Sequence, residues 1–276
     1  MKEIEGSEHK EMSFLDHLEE LRWRIVKAFS AILIGAVVVF FFKEWLFDGV
    51  IFAPMREDFF TYRAFCSMSY HLGFEDKLCF TDLILTLQSI NMVTQITMHI
   101  VASLIAGLIL AFPFVFYQVW GFISPGLKKE ERKQANGMTI WVSVLFFLGV
   151  AFGYFIIVPL SVQFLGNYQV SSLVKNNIDI SSYVSTVTTL TLATGVLFQL
   201  PVVVIILARL GLITAAMLKT YRKHALVVVL IVSAIITPPD IASQVLVTLP
   251  IMVLYEFSIF MARRIEKKRN AKMKNA

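Results

Sequence analysis

Glu20 and Glu131 are the acids whose surroundings suit recognition chemistry. Glu20 sits in Ser13-Phe14-Leu15-Asp16-His17-Leu18-Glu19-Glu20-Leu21-Arg22, which opens like a capped helix, with Ser13 three residues before an acid and Phe14, Leu18, Leu21 and Ile25 on one stripe. That pattern predicts an amphipathic helix lying at a membrane surface. Glu131 follows Tyr117-Gln118-Val119-Trp120-Gly121-Phe122 and Pro125, where an aromatic belt gives way to a short charged loop. Two carboxylates at one interface, flanked by aromatics that lower the local dielectric, suit a ligand presenting guanidinium groups, because arginine pairs with carboxylate bidentately. The residue types alone leave plainer readings open: Glu20 and Arg24 make an ordinary i,i+4 pair, and loop charges are commonly just solvated.

Covalent chemistry has no such foothold. The chain lacks H-E-x-x-H, G-x-S-x-G, a P-loop and any Cys/His cluster with zinc spacing, so no enzyme, cofactor or metal site is expected. His99 and His224 stand at the ends of apolar runs and receive no role. Within the apolar runs, Gln199, Gln244 and Glu256 are the informative residues, since amides and carboxylates at membrane depth must face protein or water. Glu256 is expected to be protonated or hydrogen-bonded, either to a partner helix or to a helix of its own chain.

The elements that position these groups are membrane spans. Of 276 residues, 57% are hydrophobic and only 16% charged, with mean hydropathy +0.71. A water-soluble globule carries roughly 25% charged residues and is excluded. Apolar runs cover Ile25 to Phe42, Ile100 to Ile123, Met138 to Leu160, Leu190 to Leu210, Ala225 to Ile236 and Ile241 to Phe260. About 20 residues cross ~30 Å of hydrocarbon, so the predicted fold is an all-α polytopic bundle of six spans with the fifth and sixth short. Thr237-Pro238-Pro239-Asp240 forces the turn between those two. The organisation read from this pattern is a surface helix at 1–24, a bundle at 25–262 with an outer loop at about 43–90, and a basic tail at 263–276.

Of the 25 Lys and Arg, 20 fall on the side of the termini and five (Lys43, Arg56, Arg63, Lys77 and Lys175) on the other, which places both termini in the cytoplasm. The net charge of +5 is therefore read as a topology signal directed at lipid, not at nucleic acid. Cys66 and Cys79 share the outer loop, where oxidising chemistry is available, and a disulfide is the expectation over two unpaired thiols. A loop closure of that size is worth about 3 kcal/mol in the chain-entropy model.

Taken together and in order, three motifs resemble one family closely, the TatC receptor subunits of the twin-arginine protein translocase. They are His17-Leu18-Glu19-Glu20-Leu21-Arg22; Tyr117 to Phe122 with Pro125 and Glu131-Arg132; and Thr237-Pro238-Pro239-Asp240 with Ser243-Gln244. Phe152-Gly153-Tyr154-Phe155 with Pro159, Asp179-Ile180-Ser181-Ser182-Tyr183 and Phe198-Gln199-Leu200-Pro201 agree. The resemblance implies a concave bundle in the bacterial inner membrane that binds the twin-arginine signal peptides of folded cargo and recruits TatA and TatB, or one TatA-like protein, for export driven by the proton-motive force. It implies that Glu20 and Glu131 bind the signal peptide, with Phe122, Pro125 and Arg132 shaping the patch and Arg22 orienting the first helix. Thr237, Gln244, Gln199 and Glu256 would dock the partner helix, and the chain would sit as a homo-oligomer in the receptor complex. One departure stands out: many members carry an acid in the second outer loop, yet Gly166 to Val174 has none, Gln169 being the nearest polar substitute. The alternatives are a secondary transporter or channel for a small solute, although no related halves with broken helices are visible, and a passive scaffold.

Overall fold

The computed structural model describes residues 14–71, 86–123, 135–171, 177–236 and 241–274. The first element, α1 (Phe14–Phe41), is unbroken. The amphipathic segment and the first span, expected to part near residue 24, are thus one rod, because no proline or glycine intervenes before Gly35 and the alanine, leucine and arginine in between are good helix formers. After α1 come a π-helical turn (Trp45–Ile51), a 3-10 turn (Ala53–Met55), α2 (Phe60–His71) and β1 (Thr86–Gln88), which together build a cap at the end opposite the amino terminus.

The next span is α3 (Thr94–Ile123), which tolerates Pro113 in its interior. The third is α4 (Ala135–Phe152), continued through a π-helical turn (Gly153–Ile157) into α5 (Val158–Asn167). Strand β2 (Asn177–Asp179) pairs in parallel with β1, Leu87 opposite Ile178, and ties the segment before α3 to the segment before α6. This three-residue pairing is a small correction to the all-helical expectation, made where extended loops need partners for their backbone groups.

The fourth span starts ten residues before its expected boundary, as α6 (Ile180–Leu197), and turns at Phe198-Gln199 into α7 (Leu200–Arg209). Its hydroxyls lowered the apparent hydropathy, yet Thr186, Thr188 and Thr194 donate to the carbonyls of Ser182, Val184 and Leu190 at 2.7–2.8 Å and so satisfy themselves in place. Pro201, in the first turn of α7, explains the break.

Helices α8 (Ala215–Thr220), α9 (Arg222–Ile236) and α10 (Ile241–Lys274) complete the chain. Five helical stretches are long and apolar enough to cross a membrane, in Leu18–Phe41, Thr94–Ile123, Gly137–Asn167, Ile180–Arg209 and Gln244–Lys267. With 15 residues, α9 reaches about 22 Å at ~1.5 Å per residue and falls short, as its run length predicted. The sixth helix does not: α10 has 34 residues and carries the basic tail onward as helix, since Arg, Lys, Glu, Ala and Met all favour that state. There Glu266 Oε1 accepts from the Ala215 backbone N–H at 3.3 Å, and Ala262 packs on Ala208 and Ala215.

The main core gathers Val39, Ala102, Ile157, Val158, Val184, Leu190, Val247 and Ile251 between the spans. Helices α1 and α3 touch at Gly35 and Gly107, where a Cβ on Gly107 would run into the Ala36 backbone.

Three tyrosines fasten the cap. Tyr62 donates to Pro54 O at 2.9 Å, Tyr154 to Val50 O at 2.7 Å and Tyr183 to Ile51 O at 2.8 Å. Burial holds the Tyr62 phenol well above its ordinary value. The unfolded phenol ionises near pH 10 while the folded one stays protonated, so this contribution to stability is complete below that pH and is lost as pH rises beyond it. Tyr183→Phe leaves the buried Ile51 carbonyl without its donor and is expected to lower stability by about 1 to 3 kcal/mol in a detergent melt. Tyr117→Phe, on a half-exposed ring, should stay within about 0.5 kcal/mol; equal shifts in both variants would refute the clamp.

Candidate functional site

At the end of the bundle that carries the amino terminus, α1 presents Glu20 and Arg24 one turn apart, facing the last turns of α3. Glu20 Oε1 accepts from Arg24 Nε at 2.8 Å and from Nη2 at 2.5 Å. Arg24 Nη1 lies 3.5 Å from the Gln118 carbonyl, at the limit of hydrogen bonding. The other carboxylate oxygen, Oε2, is enclosed without a hydrogen-bond partner among the described residues, in a side chain only 25% exposed. An enclosed, unpartnered carboxylate oxygen is costly unless something donates to it. The pair expected from i,i+4 spacing therefore forms, but it uses half of the acceptor.

Gly121 makes the approach possible. A Cβ there would fall on the Arg24 guanidinium, 2.8 Å from Cζ, so any larger residue would push Arg24 off α3. Beside it, Trp120 is 4% exposed and packs with Met138, Val142 and Val202, its ring stacked on Phe116 at 6.2 Å. It is a core residue and not the interfacial belt member its position suggested, because α4 and α7 close over it. Its indole Nε1 is buried and, among the described residues, has no hydrogen-bond partner. Phe122 is half-buried and Arg22 exposed on the opposite side of α1 from Arg24. Pro125, Glu131 and Arg132 lie outside the described residues, as does Thr237.

The polar residues in the spans mostly bond within the chain. Gln199 Nε2 donates to Val142 O at 3.3 Å while its Oε1 stays enclosed without a partner among the described residues. Gln244 Nε2 donates to Leu230 O at 3.1 Å and so joins α10 to α9. Glu256 accepts from Arg222 Nη2 at 2.7 Å, an ion pair between α10 and the start of α9 with both side chains about half exposed. Of the two contacts left open for Glu256, the one to its own chain is formed, and it is formed as a charge pair. Gln169 is exposed. Cys66 is disulfide-bonded, and Cys79 lies outside the described residues.

Two features of the site were not read from the sequence: the fit of Gly121 against Arg24, and the three tyrosine clamps of the cap. A glycine set among aromatics at a helix end is the signal that pointed to the first. The second had no local signal, because each clamp spans distant parts of the chain.

Comparison with known proteins bears on what this arrangement serves. Residues 16–250 match the family model described as "TatC: Sec-independent protein translocase protein (TatC)". The chain is 37% identical over 265 residues to the Sec-independent protein translocase protein TatC of Blattabacterium sp. subsp. Periplaneta americana, covering 95% of this chain and 99% of that one. It is 35% identical over 249 residues to TatC of Helicobacter pylori strain 26695, covering 90% and 87% respectively. A crystal structure of the twin-arginine translocase receptor TatC superposes with a TM-score of 0.70 at 31% identity, over 91% of this chain and 99% of that one. With an apolar multi-helix bundle, no enzyme family in the match, and near full-length agreement in sequence and fold, the chain belongs to the TatC family and is a multi-pass membrane component of the Sec-independent protein translocase.

Proposed function

We propose that the inner ends of α1 and α3 receive the twin-arginine signal peptide of folded cargo. The observation that carries this reading is the enclosed Glu20 Oε2, an anionic acceptor unpartnered among the described residues, beside a guanidinium that already occupies Oε1. The Arg24 guanidinium on Oε1 is the same kind of planar cation that the peptide would present, and Gly121 leaves it room. Because Arg24 cancels the charge of Glu20, the cation-attracting surplus rests on Glu131 in the adjoining loop. Both termini are cytoplasmic in this reading, and α9 completes six spans in the bacterial inner membrane.

TatA and TatB, or one TatA-like protein, would dock on the outer side of α9 and α10. The Gln244 amide is engaged with Leu230, so the half-exposed Arg222–Glu256 pair is the better handle for a polar group on a partner helix. Gln199, held to Val142 with a spare acceptor, and Thr237 contribute to that face, and copies of the chain assemble in the receptor complex.

The test is a photocrosslinker at Trp23, which is exposed beside Glu20. A peptide with paired arginines should crosslink, and an excess of the same peptide, but not of its paired-lysine analogue, should compete. Equal competition by lysine would defeat the reading, because a point charge lacks the planar fork. For the cap, alkylation before reduction should leave Cys66 and Cys79 unmodified, and a mass gain at both residues would disprove the Cys66–Cys79 pairing.

A further inference from the structure

On the face opposite the amino terminus, a cavity of about 400 Å³ lies between the end of α1, the π-helical turn, the start of α3 and the first residue of α6. That volume falls within the roughly 300 to 1,000 Å³ of small-ligand clefts. Its charged lining is Lys43, Glu44 and Asp48, none of which forms an ion pair among the described residues. Its inner wall is aromatic: His99 stacks on Phe40 with ring centroids 4.0 Å apart and meets Phe47 edge-on at 5.6 Å. The His99 Nε2 donates to the Phe40 carbonyl at 3.1 Å, and in the tautomer protonated only at Nε2 the ring offers Nδ1 as an acceptor. The apolar stretches of α1 and α3 stop at Phe41 and start at Thr94, so the cavity stands at headgroup depth. Ile96 lines it and is 63% exposed, and Phe41, where the apolar stretch of α1 ends, is 78% exposed.

We infer that this cavity holds the headgroup of a zwitterionic phospholipid bearing a primary ammonium, a phosphoethanolamine lipid in the leaflet opposite the amino terminus. One cation and two anions match one phosphate and one ammonium. Lys43 takes the phosphate; Glu44, Asp48 and His99 Nδ1 offer three acceptors to the three N–H bonds of the ammonium. A quaternary ammonium has no such donors, and an anionic glycerol headgroup would meet an excess of carboxylates. The acyl chains descend along Ile96 and Ile100.

The experiment is native mass spectrometry of the full chain released from nanodiscs of phosphatidylethanolamine, phosphatidylcholine or phosphatidylglycerol. The unaltered chain should retain phosphatidylethanolamine about ten-fold more than either other lipid, the effect of one charge-assisted hydrogen bond. Glu44→Gln with Asp48→Asn should abolish that preference, and Lys43→Gln should lower retention of phosphatidylethanolamine and phosphatidylcholine alike. Equal retention of the three lipids by the unaltered chain overturns the inference, and this comparison stands even where a variant fails to fold. An undiminished preference in the folded double variant overturns it as well.

Discussion

Glu20→Gln is expected to weaken binding of a paired-arginine peptide by about 2 to 4 kcal/mol, roughly 30- to 1,000-fold, more than Glu131→Gln at about 1 to 3 kcal/mol. Glu131→Gln removes one anion and keeps its shape. Glu20→Gln does that and also strands Arg24, whose guanidinium then points an unpaired positive charge at an incoming cation. Adding Arg24→Gln to Glu20→Gln should therefore recover part of the loss, about tenfold, whereas Arg24→Gln added to Glu131→Gln should recover less. Anisotropy of a labelled peptide at low salt measures all four variants, and raising salt to about 1 M, where the Debye length is ~3 Å, should compress the differences. If the two neutralised acids leave affinity unchanged at low salt, the recognition site lies elsewhere. No recovery with Arg24→Gln would mean that Arg24 does not face the peptide.

Gly107→Leu is expected to abolish folding or to lower stability by more than about 3 kcal/mol. The Cβ alone would overlap the Ala36 backbone, and Cα of Ala36 would stand only 2.7 Å away. Backbone on a packed helix does not yield as a side-chain tip does, and helix association in lipid depends on such close approach. Gly107→Ala should already be costly, about 1 to 3 kcal/mol. Gly35→Ala should be milder, since its Cβ would meet Gly107 O at 3.1 Å. Gly137→Ala, with nothing within 4 Å, is the internal control and should be neutral to slightly stabilising in a helix. Thermal unfolding in one detergent ranks the four. A Gly107 variant that melts with the Gly137 variant would show that α1 and α3 do not cross at Gly35 and Gly107.

Both results turn on features of different legibility. Glu20 and its pairing with Arg24 follow from spacing alone, because i and i+4 share one helix face whatever the remainder of the chain does. That Glu20 keeps a second oxygen enclosed and empty required α3 to lie alongside, with Gly121 under the guanidinium. Gly107 in an apolar run has no distinguishing local signal, and only the crossing with Gly35 gives it weight.

Spans were legible for the same reason that they are stable. Each must be apolar over ~30 Å, and that demand is met residue by residue along one segment. The short α9 belongs to this class. Boundaries were less legible where polar side chains served themselves: the hydroxyls of α6 masked ten helical residues, and the charged end of α10 looked like a tail although its residues favour helix.

Composition and pattern thus determined a multi-pass helical protein and its family, since these depend on the solvent around each segment and on residue identity. Tertiary structure alone decided that Trp120 is core, that Glu256 finds Arg222, that three tyrosines clamp the cap and that two loops pair as strands. These contacts join residues far apart in the chain, and their energies exist only once the helices have packed.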